Sequence, residues 1–144
     1  MFRGNAETKI DDKGRLKIPA QYKRVFDEEF PDTKFFVTSM DGLSARIYPM
    51  EEWHKIEEKL KGSFNPAMSA LKHKVNYWGG EAEMDQQARI LIPQVLREKA
   101  GIKGEVSVIG NTNFLEVSTS EEARRRAEAP ITPEQMAEIA KWEI

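Results

Sequence analysis

The chain contains no cysteine, so neither a disulfide framework nor a cysteine-based zinc site is available, in keeping with a reducing compartment. It has only two histidines, His54 and His73, 19 positions apart and without partners at ligand spacing, which argues against a metal centre. No apolar run approaches the length of a membrane span, and the opening MFRGNAETKI lacks the apolar stretch of a signal peptide. The expected location is therefore the cytoplasm, with no membrane partner. There is no conspicuous glycine-rich phosphate loop. Net charge is also small, −2, which taken alone argues against a nucleic-acid partner. What remains, 144 residues with 40% hydrophobic and 32% charged, suits one compact unit or two small halves sharing a core.

The chain does hold a near-repetition. Residues 10–19 read IDDKGRLKIP and residues 84–93 read MDQQARILIP. Asp11 and Asp85, Arg15 and Arg89, and Pro19 and Pro93 each stand 74 positions apart, with Leu16 and Ile18 matched by Ile90 and Ile92. A repeat of this length signals two copies of one supersecondary unit. Downstream, Glu51-Glu52 matches Glu121-Glu122 at a spacing of 70, so the second copy is about four residues shorter in its middle.

Each copy predicts the same order of elements. In the first, residues 6–10 and 16–18 read as strands around the polar turn DDKG, in which Gly14 is free to take positive φ. Pro19 suits the first turn of a helix over roughly 19–30. Strands follow at 35–39 and 45–48 around the hairpin signal Asp41-Gly42, then a helix opened by Pro49 and Glu51-Glu52. Its apolar positions Trp53, Ile56 and Leu60 form a stripe that reads as core. Asn65-Pro66 predicts the cap of a linking helix to about Tyr77. The second copy predicts strands flanking 85–89, a helix over 93–100 stopped by Gly101, strands at 105–109 and 114–117, and a helix from about Ser120. Thr132-Pro133-Glu134-Gln135 has capping-box spacing for a C-terminal helix.

Charge separates the two copies. Residues 1–24 hold seven bases against three acids, whereas residues 78–100 hold three bases against four acids. Strand alternation places Lys13, Arg15 and Lys17 on one side, with Leu16 and Ile18 facing a core. Such a stripe can meet phosphates, and an arginine can read guanine bidentately. On the second copy the corresponding face keeps only Arg89. Asp11 and Asp85, four residues before their arginines, read as structural turn residues that accept amide hydrogen bonds and brace the arginine. Ala88 stands where the first copy has Gly14. Either the second turn differs in shape, or it tolerates left-handed strain of roughly 1 kcal/mol.

The opening MFRGNAETKIDDKGRLKIP, the doubled DxxxR, YPMEEW at 48–53 and MDQQARILIP together resemble the MraZ family of bacterial transcriptional regulators. The resemblance spans residues 1–125. It implies an α+β, β-rich fold of two AbrB-like swapped-hairpin β-barrel units in one chain, with flanking helices and an internal pseudo-two-fold repeat. The expected divisions are 1–62 for the first repeat, 63–77 for a linking helix, 78–128 for the second repeat and 129–144 for a C-terminal helix. The implied function is sequence-specific binding to repeated double-stranded promoter boxes upstream of a cell-division and cell-wall operon. The protein would act as a homo-oligomeric ring, with an octamer as one candidate size, and associate with the nucleoid. No cofactor, metal or small-molecule ligand is expected. By position, Arg3, Lys13 and Arg15 are carried over as DNA-facing and Arg89 as their counterpart; Lys17 joins them through the strand stripe. The chain departs from the family pattern at Ala88 and in the linker, where Ser69, Ala70 and His73 replace arginine-rich sequence.

Other readings are weaker. Asp11 and Asp85 could be imagined as a catalytic pair, yet each has an arginine partner in its turn. An AbrB-type interaction protein, antitoxin-like and with non-specific DNA binding, is the alternative. That type carries one hairpin unit and a separate partner-binding tail, whereas here there are two units and only a short tail. Within that tail, Ile131, Met136 and Ile139 are candidates for packing on a neighbouring subunit. Arg124-Arg125-Arg126, set among Glu121, Glu122 and Glu128, reads as a solvated helix face.

Overall fold

The polar turn at 11–14 separates two segments of alternating polarity. In the computed structural model, which describes residues 1–62 and 64–144, these segments form a hairpin of β1 (Asn5–Ile10) and β2 (Arg15–Lys17). Pro19 then leads into α1 (Ala20–Glu29), followed by the hairpin β3 (Phe35–Thr38) and β4 (Ala45–Pro49) and by α2 (Met50–Leu60). Helix α3 (Pro66–Tyr77) links the copies, its first turn capped by the Asn65 side chain, which accepts from the Ala67 amide at 2.8 Å. Ser63, where the expected linking segment begins, lies outside the described residues.

The second copy repeats the order with β5 (Gly80–Ala82), β6 (Arg89–Leu91), α4 (Gln94–Ala100), β7 (Gly104–Asn111), β8 (Phe114–Ser118) and α5 (Ser120–Glu128). Helix α6 (Pro133–Ala140) closes the chain with the expected capping box between Thr132 and Gln135. Pro19, Pro49 and Pro93 sit at the N-cap rather than inside the first turn, with φ of −57°, −55° and −54°. Their rings set that φ in advance, so these three helices start without a side-chain cap. No helix among the described residues is long and apolar enough to cross a membrane.

Among the described residues, all eight strands belong to one antiparallel sheet of order β5-β3-β4-β8-β7-β1-β2-β6, curled into a nearly closed barrel. Its pairing exchanges strands between the copies. Strand β1 runs against β7 from Asn5↔Ile109 to Ile10↔Gly104, β2 against β6, and β3 against β5. Leu16 faces its own counterpart Ile90, and Arg46 faces its counterpart Glu116, so an internal two-fold passes through both pairs. Leu16, Ile18, Ile90, Ile92, Leu96, Val106 and Val108 fill the barrel and are buried. Burying each of these side chains contributes roughly 2 kcal/mol. The stripe Trp53, Ile56 and Leu60 packs α2 against Tyr48, Val75 and Phe114, as its spacing predicted.

The two DxxxR turns have the same shape. The Asp11 amide donates to Arg15 O and the Gly14 amide to Asp11 O, both at 3.0 Å; the Asp85 amide to Arg89 O and the Ala88 amide to Asp85 O repeat this at 3.0 Å. Gly14 has φ +87° and Ala88 +58°, so the second turn accepts left-handed backbone on an alanine. The turns also bond each other reciprocally, the Ile18 amide to Ala88 O at 2.8 Å and the Ile92 amide to Gly14 O at 2.9 Å. They differ in what lies against them. A Cβ on Gly14 would come within 2.4 Å of the Arg97 Nε. The repeat counterpart of Arg97 is Lys23, whose ammonium instead bonds Asp27 on its own helix at 2.6 Å.

Gly14→Ala is therefore expected to lower stability by about 2 kcal/mol, since left-handed strain of ~1–2 kcal/mol is joined by displacement of Arg97. Ala88→Gly is expected to change stability by less than about 1 kcal/mol, because relief of strain opposes the greater chain entropy of unfolded glycine. Urea unfolding of the two variants checks the contrast, and equal small shifts would overturn it.

Candidate nucleic-acid interface

Pairing of β2 with β6 sets Arg15 beside Leu91 and Lys17 beside Arg89, with Leu16 and Ile90 between them pointing into the barrel. Alternation therefore turns Arg15, Lys17, Arg89 and Leu91 outward on one two-stranded ribbon. Three cations on that face come from both copies, and the fourth position, Leu91, is apolar and half-exposed. Lys13 stands in the turn before the ribbon, where its amide donates to Asp11 Oδ1 at 3.0 Å. Arg3 lies elsewhere. It adjoins the bridge Phe2↔Thr112 beyond the start of β1, so six residues of extended chain, about 20 Å at ~3.3 Å per residue, separate it from the Asp11 turn.

The aspartates organise the turns. Asp11 Oδ1 accepts from the amides of Lys13 and Arg15, and Oδ2 accepts from Arg15 Nε at 2.7 Å. Asp85 repeats this with Gln87 and Arg89, the Nε contact being 2.8 Å. The Arg15 amide, working against partial desolvation, and the Arg15 guanidinium hold the Asp11 carboxyl below the usual carboxylate range. At Asp85 partial desolvation pushes the carboxyl up, and the bonds from the Arg89 amide and guanidinium outweigh it, with the same downward result. Both groups stay ionised and aim their arginines.

The copies differ in how far their cations are neutralised. Arg89 reaches both aspartates, Asp85 through Nε and Asp11 through Nη1 at 3.7 Å. Arg15 pairs with Asp11 alone among the described residues, and its side chain is the more exposed of the two, 36% against 24%. Lys17 Nζ donates to the Gln87 carbonyl across the ribbon. Around the second turn, Asp27, Asp32, Glu83 and Asp85 share a groove with Lys23 and Lys34, which pair with Asp27 and Glu83, so acids outnumber bases there. Of the three arginines on α5, Arg125 is tied to Glu122 of the same helix, and Arg126 reaches Glu116 on β8.

Arg97 is a residue that sequence reasoning counted only as one charge among several. It extends from α4 over the first turn, with Nε donating to Ile92 O at 2.9 Å. One signal for it was present, since the copies pair glycine 14 with arginine 97 but alanine 88 with lysine 23.

Comparison with known proteins agrees with this architecture. The family model described as "MraZ protein, putative antitoxin-like" matches residues 1–74 and 80–122, a span that includes both DxxxR turns and ends before α6. A protein of Acidobacterium capsulatum named transcriptional regulator MraZ is 46% identical over 145 residues, covering 99% of each chain. A protein of the same name from Koribacter versatilis is 50% identical over 137 residues, 93% of each chain. Another, from Shewanella frigidimarina, is 34% identical over 119 residues, 81% of this chain and 78% of its own. With both repeated turns inside the matched span and near-complete relatives at this identity, the chain belongs to the MraZ family.

Proposed function

We propose that this chain is a DNA-binding transcriptional regulator whose β2–β6 ribbon meets promoter DNA, with the first turn as the stronger contact. The observation that carries the reading is the unequal neutralisation of a symmetric pair: among the described residues Arg15 has one carboxylate partner and the more exposed side chain, whereas Arg89 has two carboxylate partners and is more covered. A two-stranded ribbon fits a major groove, where arginine forks read guanine and lysines meet phosphates. Lys13, Arg15 and Lys17 are the main contacts in this reading and Arg89 a weaker one. Asp11, Gly14 and Asp85 keep the turn shape. Arg3, at the other end of β1, adds positive potential rather than a contact shared with the ribbon.

A few phosphate contacts per subunit give weak, salt-sensitive binding. We propose that several subunits joined in a ring grip repeated short boxes by effective concentration, upstream of a cell-division and cell-wall operon as the family resemblance implies. Two uncovered faces suit such an assembly. Helix α3 exposes Met68 beside Lys72 on one side and Tyr77 beside Lys74 on the other, and carries no acid. The tail exposes Ile131, Met136 and Trp142 beside Glu134, Glu138 and Glu143, with Lys141 its only base. A helix as short as α6 is marginal in water unless covered. Seating α6 of one subunit against the Met68 side of α3 of the next would cover apolar surface on both helices and set opposite charges together.

In a gel shift against the chain's own upstream region, Arg15→Ala is expected to weaken binding by roughly tenfold or more, and Arg89→Ala by less, a good arginine–base contact being worth about 1–3 kcal/mol. Equal losses would remove the inequality, and failure of the wild type to bind would remove the DNA reading. A tandem array of boxes should bind much more tightly than one isolated box, and comparable affinities would sink the ring-avidity argument. Removal of residues 130–144 should lower the number of subunits per assembly, obtained from the light-scattering mass divided by the mass of the shortened chain; an unchanged subunit number would rule out the α6–α3 contact.

A further inference from the structure

We infer that Arg97 of the second repeat is a phosphate-binding residue of the first repeat's turn, and that position 14 is glycine in order to seat it. The inference rests on the DNA-binding reading above and adds a site to it. A side chain at position 14 would meet Arg97 Nε at 2.4 Å, Cζ at 2.5 Å and Nη2 at 2.8 Å, so the guanidinium lies directly against the bare backbone of the turn. Arg97 Nε bonds Ile92 O at 2.9 Å, and the Ile92 amide in turn bonds Gly14 O at 2.9 Å. One short chain of hydrogen bonds thus locks the arginine to the turn that carries Lys13 and Arg15.

The guanidinium is half-buried, and among the described residues no carboxylate lies within ion-pair distance of it. That sets it apart from Arg46 and Arg126, both on Glu116, and Arg125 on Glu122. A delocalised cation held by Nε keeps its terminal N–H groups for another acceptor, and their planar fork matches a phosphate. Because Arg97 stands on α4 beside the ribbon rather than on it, the expected contact is with the DNA backbone, which positions the duplex without reading its sequence. At the second turn the equivalent place is filled by Lys23, neutralised by Asp27, and Ala88 replaces the glycine. The seat exists once, at the turn that kept its positive charge.

The test measures fluorescence anisotropy of a labelled duplex from the chain's own upstream region, and of a scrambled duplex of equal length, over a salt series. Wild type, Arg97→Gln and Arg97→Lys are compared after their unfolding midpoints and assembly masses have been matched. Arg97→Gln should weaken both duplexes by a similar factor, about five- to tenfold, and reduce the slope of log K against log salt by about one. Arg97→Lys should recover the slope, because the charge returns, while leaving part of the affinity lost with the fork. Gly14→Ala should lower the slope as Arg97→Gln does, and combining the two should lower it no further. Wild-type affinity and slope in Arg97→Gln would overturn the inference and leave the DNA reading standing. Absence of wild-type binding to either duplex would overturn both.

Discussion

The exchange of backbone hydrogen bonds between the two DxxxR turns is the constraint on which the rest of the molecule hangs. Each turn offers the carbonyl of its left-handed residue, Gly14 or Ala88, to an amide just past the other copy's short strand, Ile92 or Ile18. A three-residue strand has too few ladder bonds to hold its place alone. The reciprocal bonds supply that place, and with it the register Arg15↔Leu91 and Lys17↔Arg89. A shift of one residue would turn Leu16 and Ile90 out of the core and the cations into it. The same bonds that close the barrel therefore decide which side chains face outward. The left-handed backbone at Ala88 is the local cost of keeping this geometry, offset by bonds the turn could not make in another shape.

Symmetry of backbone and asymmetry of charge serve different ends here. The backbone repeat is needed because each half lends strands to the other, so both must present the same turn and the same inward apolar residues. Nothing in that requirement restricts the outward positions. Lys17 and Leu91 are equivalent by the internal two-fold, as are Arg97 and Lys23, and in each pair one member carries a charge that the other lacks or has neutralised: Lys17 stands beside Arg89 where Leu91 stands beside Arg15, and Arg97 lies over the first turn where Lys23 is tied to Asp27. A net charge of −2 for the whole chain conceals this, because acids outnumber bases on α2 and α6 and in the groove beside the second turn. Electrostatic recognition acts over roughly a Debye length of 8–10 Å, so the local arrangement outweighs the total.

Local signals carried most of the element order. Pro19, Pro49 and Pro93 mark helix starts by fixing φ, and Gly101 marks a helix end by accepting left-handed backbone, and the observed boundaries fall within a residue or two of those they predict. The alternation of Arg15, Leu16, Lys17 and Ile18 was enough to assign inward and outward faces. The partners of individual strands were not legible from the residues alone. That β1 pairs with β7 across about a hundred positions depends on complementary burial along both strands, which no short motif encodes. The placement of Arg97 over Gly14 was hidden for the same reason, as was the separation of Arg3 from the ribbon. Whether the Ala88 turn would change shape was a balance of strain against hydrogen bonds, and the bonding of the whole barrel settles it.

The pairing of Arg46 with Glu116 on the internal two-fold has a consequence for how the halves choose each other. On a true two-fold between identical chains, a residue at the axis meets itself, so a dimer of first halves would set arginine against arginine there and a dimer of second halves glutamate against glutamate. Like charges directly opposed across a sheet are unfavourable. Within the single chain the same place holds opposite charges, with Arg46 Nε 3.8 Å from Glu116 Oε2 and Arg126 closing over the other oxygen. Joining the copies in one polypeptide thus frees the axial position to discriminate: each half is matched to its unlike sibling and mismatched to its own duplicate. During synthesis of many chains side by side, that preference would disfavour assembly of like halves from different molecules.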